Sequence, residues 1–323
     1  MGIVSKLIKG AGGLAAAATG AALVYNAATT PQGMRPASDF APAEEFVTLQ
    51  DGWRSHYRSA LPAEAEGKLP IILLHGLGGW VYSWRHNLGV LGQHNPTYAL
   101  DRLGFGLSDK PAITYNLDLY CNQVMLFLNH LGLQRVILVG HSAGAPVAIR
   151  VATRFPTQVA GLVLAAPAGL ESPPPDQAVK LFARTPFATT LARLLLKNRV
   201  LSKGLLGISY ANPSFMSEEV LVNYELPLQT EGNENTLRGL LRSGNPNAGI
   251  VEQLPQVTAP TLVIYGTADR VVKPANAARF AALIPHAEAD VIADAGHLLM
   301  EEQADTFNRA VLNFAARLQK EAS

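Results

Sequence analysis

One serine in this chain stands where a serine can act as a nucleophile. Residues 140 to 144 read Gly-His-Ser-Ala-Gly, directly after the apolar run Val136 to Val139 and directly before an apolar helical pattern starting near Ala145. In a G-x-S-x-G turn from strand to helix the central residue is forced into a strained backbone conformation. Neighbouring chain then comes so close that the positions two before and two after must be nearly free of side chain. Gly140 and Gly144 meet that need. Ser142 would sit at a helix N-terminus, where unpaired amides and the helix dipole favour developing negative charge. The backbone N–H of Ala143 becomes one donor to an oxyanion. No other segment of the chain carries this pattern.

A serine hydroxyl is a weak nucleophile at neutral pH and needs a base that an acid orients. His297, in Ala295-Gly296-His297, follows an expected last strand at Asp290 to Ala293, and Asp269 follows the apolar run Leu262 to Tyr265. The expected site is therefore Ser142 as nucleophile, His297 as base and Asp269 as orienting acid, with Asp290 and Asp294 as rival acids. The loop His75-Gly76-Leu77-Gly78-Gly79 follows the run Ile71 to Leu74, and its bare backbone can approach the serine. Its Leu77 N–H is the expected second oxyanion donor, with Gly78 as the neighbouring alternative. His75 is read as structural and His141 as packing or hydrogen-bonding locally.

The elements that must position these groups are legible as short apolar runs separated by helical stretches. Phe46 to Gln50 and Trp53 to Arg58 read as two strands joined by a turn at Asp51-Gly52. Ile71 to Leu74, Thr97 to Leu100, Val136 to Val139, Leu162 to Leu164 and Leu262 to Tyr265 are continuous and rich in branched residues, as strands are when helices cover both faces of a parallel sheet. Asn116 to Leu131 repeats apolar residues at three- and four-residue steps and stops at Gly132. Strand alternating with helix predicts an α/β fold with a doubly wound, mostly parallel sheet. The alternation lapses between Pro173-Pro174-Pro175 and about Ala248, where only helical patterns occur, among them Ala178 to Asn198 with a break at Pro186. This predicts a helical cap at 170–250, inserted between two segments of the sheet core, 45–169 and 251–323.

Composition sets the outer bounds. The 323 residues are 48% apolar and 16% charged, so there is ample material for a core and disorder is excluded. Lys and Arg total 26 against 25 Asp and Glu, with no basic run, which argues against nucleic acid as a partner. The single Cys121, in a helical apolar pattern, excludes an internal disulfide framework and any site built on several thiolates. No metal-ligand spacing or phosphate-binding glycine loop is present, so no cofactor is expected. Residues 1–30 form an apolar segment, uncharged from Gly10 to Ala28 and preceded by Lys6 and Lys9. It is read as an anchor or signal segment, favouring an exported or membrane-anchored protein over a cytoplasmic one. Residues 31–44, with Pro31, Pro36 and Pro42, read as a flexible or extended spacer.

Over about residues 45 to 320 the chain resembles the α/β-hydrolase family. The resemblance is carried by His75 to Gly79, Asp101-Arg102-Leu103-Gly104-Phe105-Gly106-Leu107-Ser108-Asp109-Lys110-Pro111, the turn at 140 to 144, Pro260 to Asp269, and Gly296-His297 followed by Glu301. It implies a Ser/Asp/His hydrolase with an inserted lid. The run Ser83-Trp84-Arg85-His86-Asn87 looks like lipase- and esterase-like members. A serine in place of a nucleophilic aspartate argues against dehalogenase and epoxide-hydrolase relatives. The expected activity is hydrolysis of carboxylic esters of apolar small molecules through an acyl-enzyme, with Leu181, Phe182, Phe187, Leu191, Leu194, Leu195 and Leu196 of the cap as an apolar roof. Hydrolysis of a carbon–carbon bond, cofactor-free perhydrolysis, and a membrane-tethered binding protein without turnover are the alternatives.

Overall fold

The computed structural model describes Thr19 and residues 34–49, 51–170, 184–185, 187–191, 199–243, 247 and 249–322. Apart from Thr19, the segment 1–30 on which the anchor or signal expectation falls lies outside the described residues. Among the described residues no helix is long and apolar enough to cross a membrane.

Eight strands form one sheet. They are β1 (Phe46–Thr48), β2 (Arg54–Ala60), β3 (Ile71–Leu74), β4 (Thr97–Leu100), β5 (Val136–His141), β6 (Val159–Ala165), β7 (Thr261–Gly266) and β8 (Ala287–Ile292). Their order across the sheet is β1-β2-β4-β3-β5-β6-β7-β8, antiparallel for β1–β2 and β2–β4 and parallel from there on. The central strands are buried on both faces, with every residue of β3, β5 and β6 buried. That burial is why their sequences are unbroken apolar runs rather than alternating ones. The turn between β1 and β2 closes through Gly52 at φ +83°, a left-handed position that costs glycine no Cβ clash.

The helices that cover this sheet are α1 (Leu117–His130), α2 (Ala145–Arg154), α3 (Arg199–Ser209), α4 (Glu218–Glu225), α5 (Asn233–Ser243), α6 (Pro274–Leu283) and α7 (Ala304–Ala322). α1 starts where Asn116 accepts the N–H of Leu119 through its side chain, an N-cap. Its buried face includes Tyr120, Cys121, Val124, Phe127 and Leu128. Burial pushes the Cys121 thiol up to about 11, so it stays protonated in the core. Two apolar clusters lie on opposite faces of the sheet, one gathering α1 and α2 and the other α7 with Trp84.

α3, α4 and α5 all lie between β6 and β7, and the described residues of that stretch form no strand. Most of the helical pattern expected at Ala178 to Asn198 lies outside the described residues. Residues 34–45 are not a free spacer. They fold into two single 3-10 turns, and Arg35 donates its N–H to the Gln229 carbonyl of the insertion at 3.2 Å while its guanidinium covers the Phe40 ring. The last strand begins at Ala287, three residues before its expected start, and ends at Ile292. An edge strand in which only Ile292 is buried has no continuous apolar run to announce it.

Candidate active site

Ser142 follows β5 immediately and adopts φ +51°, a left-handed conformation that a serine holds only when its surroundings impose it. The imposing contacts are backbone. A Cβ on Gly140 would fall 2.6 Å from the Gly144 carbonyl oxygen, and one on Gly144 would fall 2.3 Å from that of Leu74. Both glycines are thus required by close approach, as the spacing implied. The turn leaves Ser142 7% exposed at the start of α2.

Three side chains from three strand ends meet here. Ser142 Oγ lies 2.9 Å from His297 Nε2, and His297 Nδ1 lies 2.9 Å from Asp269 Oδ2. The other oxygen of Asp269 accepts the N–H groups of Val271 and Val272 at 2.8 and 2.9 Å, which fixes the carboxylate plane. With Nδ1–H donated to Asp269, Nε2 is free to accept a proton from the serine. The rival acids do not reach the ring: Asp290 pairs with Ile264 in the β7–β8 ladder, and Asp294 is an exposed turn residue at φ +56°.

His141 does more than pack locally. Its Nε2–H donates to the main-chain carbonyl of His297 at 2.8 Å, tying the elbow to a loop 156 positions away. On the other side of the serine, a Cβ on Gly76 would stand 3.0 Å from Ser142 Cβ. The Gly76–Leu77 peptide therefore lies directly against the nucleophile. Leu77 N–H donates to no other described residue, as an oxyanion donor requires.

Two buried imidazoles support this centre without charge. His75 donates Nδ1–H to the Gly76 carbonyl at 2.8 Å and accepts the Arg102 N–H through Nε2 at 3.0 Å. Burial, reinforced by the nearby Arg102 cation, pulls His75 from its ordinary value of 6.5 down to about 4, and burial holds His141 well below the ordinary range. Between pH 6.5 and 4 the unfolded chain binds a proton at position 75 that the folded chain refuses, so stability falls as pH falls through that window. A shift of this size is worth about 3 kcal/mol, and His141 adds in the same direction. Urea unfolding at pH 7, 6 and 5 should give midpoints that fall steadily, whereas a flat series would show that these rings are not held neutral.

A network that sequence reasoning missed ties the helical insertion to the histidine loop. Glu301, in the one-turn helix Leu299–Glu302, pairs with Arg85 at 2.7 Å and accepts hydrogen bonds from the hydroxyls of Tyr210 and Tyr224. Glu302 accepts the Asn212 N–H at 2.9 Å and also the N–H of Gly296, next to His297. Trp84, Arg85 and Asn87, noted only as a family-like run, thus brace that loop: Asn87 donates to the Met300 carbonyl at 3.0 Å and Trp84 is fully buried. Among the described residues no group of three or more His, Cys, Asp and Glu side chains could hold a metal ion.

Two cavities open onto Ser142, sharing Leu77 and Val271. One of about 370 Å³ runs under Phe105, Leu117, Tyr120, Leu170 and Leu240, and the other, of about 510 Å³, is lined by Leu201, Leu205, Leu221, Tyr224 and Leu228 of the insertion. The described helices of the insertion line both cavities with residues after position 200. Phe187 and Leu191 line neither cavity, and Leu181, Phe182, Leu194, Leu195 and Leu196 lie outside the described residues.

Comparison with known proteins gives the same frame. A dihydrolipoyllysine-residue acetyltransferase component of an acetoin cleaving system from Pseudomonas putida is 31% identical over 251 residues, which are 77% of this chain and 64% of that protein. A 2-hydroxy-6-oxononadienedioate/2-hydroxy-6-oxononatrienedioate hydrolase from a Pseudomonas species is 28% identical over 76% of this chain and 88% of its own length. Among solved structures, a thermophilic esterase from Thermogutta terrifontis superposes with a TM-score of 0.70 at 21% identity, covering 85% of this chain and 98% of that one, a likeness of fold. Residues 70–304 match the alpha/beta hydrolase fold family. With that match extending over more than half of its length, the chain belongs to the alpha/beta hydrolase fold family.

Proposed function

We propose that this protein is a serine hydrolase that cleaves carboxylic esters of apolar small molecules through an acyl-enzyme. The observation that carries the reading is the hydrogen-bonded chain Ser142–His297–Asp269 set at the meeting point of two largely apolar cavities. His297 takes the hydroxyl proton as Ser142 Oγ attacks the ester carbonyl. The N–H groups of Leu77 and Ala143 hold the oxyanion, and the imidazolium protonates the departing alcohol. Water, deprotonated by the same ring, then attacks the acyl-enzyme and releases the acid and free Ser142. No step consumes a further reagent. Two cavities suit a substrate with apolar groups on both sides of the carbonyl, one for the acyl chain and one for the alcohol.

A carbon–carbon bond hydrolase is the second reading, supported by the relative named for such a substrate. Its substrates carry ionised groups, whereas the described lining of the larger cavity holds eight leucines and no lysine or arginine. A series of p-nitrophenyl esters from acetate to decanoate discriminates. Ester turnover should rise with chain length by about tenfold or more between acetate and hexanoate, since each buried CH₂ contributes about 0.8 kcal/mol. Absence of turnover on every ester, with cleavage of a vinylogous diketone, would reject the ester reading in favour of the second.

A further inference from the structure

Arg102 is a buried cation for which the reaction scheme has no use. Its side chain is 3% exposed, and no described carboxylate lies within ion-pair distance of it. Burying an unpaired charge is costly, so its surroundings must compensate. They do so with main-chain carbonyls at the two Nη atoms and with ring faces, while Nε has no hydrogen-bond partner among the described residues. Nη2 donates to the Gly76 carbonyl at 3.0 Å, Nη1 reaches the Ala143 carbonyl at 3.4 Å, and the guanidinium lies 4.9 Å from the centres of both the Phe105 and Tyr120 rings. Burial pulls its pKa down, but a guanidinium remains charged at neutral pH.

The Gly76 carbonyl is the more informative end of this contact. It accepts three donors at once: Arg102 Nη2 at 3.0 Å, His75 Nδ1–H at 2.8 Å and the Gly79 N–H at 3.3 Å. The amide bonded to that carbonyl is Leu77 N–H, which points away from the oxygen across a trans peptide. Hydrogen bonds on a carbonyl draw electron density from its own N–H, most strongly when the donor is charged. They also fix the peptide plane, so the N–H needs no reorientation when charge develops. The segment carrying Arg102 is itself rigid: Asp101 accepts the N–H groups of Val81 and Leu107 at 2.7 and 2.9 Å and the His56 ring at 2.7 Å.

We infer that Arg102 is a positioning residue for the oxyanion hole: its guanidinium holds and polarises the Gly76–Leu77 peptide so that the Leu77 N–H binds the tetrahedral oxyanion more strongly than the ground-state carbonyl. This rests on the ester-hydrolase reading, and the test separates the two. Wild type and Arg102→Met are compared in kcat and KM on a p-nitrophenyl ester. Inhibition is then measured with a short alkylboronic acid, which adds to the serine as a tetrahedral anion, and with the methyl ketone of equal chain length, which binds as the neutral ground state. Losing a whole oxyanion donor costs about 10²- to 10³-fold in kcat, so weakening one should lower kcat and boronate affinity together by about 10- to 100-fold. KM and ketone affinity should stay within about threefold. Arg102→Lys, which keeps the charge, should recover most of the loss.

A folded Arg102→Met protein with wild-type kcat and boronate affinity overturns the inference. So does a parallel loss of ketone and boronate affinity, the signature of a collapsed pocket. If circular dichroism shows that Arg102→Met does not fold, Arg102→Lys against Arg102→Gln carries the test. Lysine should bind the boronate at least tenfold more tightly, and equal affinities overturn the inference. Wild-type protein that neither hydrolyses the ester nor binds the boronate instead rejects the ester-hydrolase reading itself.

Discussion

Replacing Ser142 with alanine should lower kcat on an activated ester by about 10³-fold or more while KM stays within a few fold and the protein remains folded. The size follows from what is removed. Oγ is the atom that forms the acyl bond, and the substitution leaves both oxyanion donors and both cavities in place, so only catalysis by binding and oxyanion stabilisation survives. Folding should survive because alanine is smaller than serine and no worse at φ +51°, while the elbow is imposed by Gly140, Gly144 and the backbone around them. A stronger form of the prediction uses non-additivity. Groups that act as one unit cannot be lost twice, so His297→Ala should cost a similar factor, and the double variant should be no slower than the worse single one. Steady-state rates of the four proteins measure this, together with labelling by a fluorophosphonate, which wild type should accept and Ser142→Ala should not. Undiminished turnover by Ser142→Ala removes the nucleophile assignment, and multiplying losses in the double variant would mean that the two side chains serve different steps.

How far this centre can be read without coordinates depends on the range of the interaction. β3 and β4 begin and end at the residues their apolar runs mark, because a strand buried on both faces writes its burial into every position. The elbow is equally legible, since its glycines answer to clashes within five residues of the serine and with the adjacent strand end. β8 is legible only at its end because exposed edge residues carry no such constraint. Contacts between residues roughly 80 to 220 positions apart leave no periodicity at all. Nothing around His141 marks its bond to the His297 carbonyl, and nothing around Glu301 marks Arg85, Tyr210 and Tyr224 as its partners. Arg102 is the clearest case. As a letter between Asp101 and Leu103 it belongs to a family-like run, and its service to a carbonyl 26 residues earlier exists only once β3 and β4 are paired.

Asp269→Asn should be nearly as damaging as loss of the nucleophile, with kcat down by about 10⁴-fold if this carboxylate acts as the corresponding one does in serine proteases. The local hydrogen bonds say which way the new amide must face. One Asp269 oxygen accepts two backbone N–H groups, from Val271 and Val272, so the asparagine places its carbonyl oxygen there and turns its NH₂ toward His297. A donor now faces Nδ1, where an acceptor stood at 2.9 Å. Nδ1 must give up its hydrogen, the proton moves to Nε2, and the ring presents N–H to Ser142 Oγ instead of a lone pair. The base is then absent although every heavy atom remains near its place. Substrate binding should be little changed, so the loss should fall on kcat and leave KM within a few fold. Asp290→Asn and Asp294→Asn are the controls: one residue sits in the β8 ladder and the other in an exposed turn, and each variant should keep activity within about threefold, as surface substitutions away from a site do. If either control shows the large loss and Asp269→Asn does not, then the acid serving His297 in solution is not the one at the end of β7.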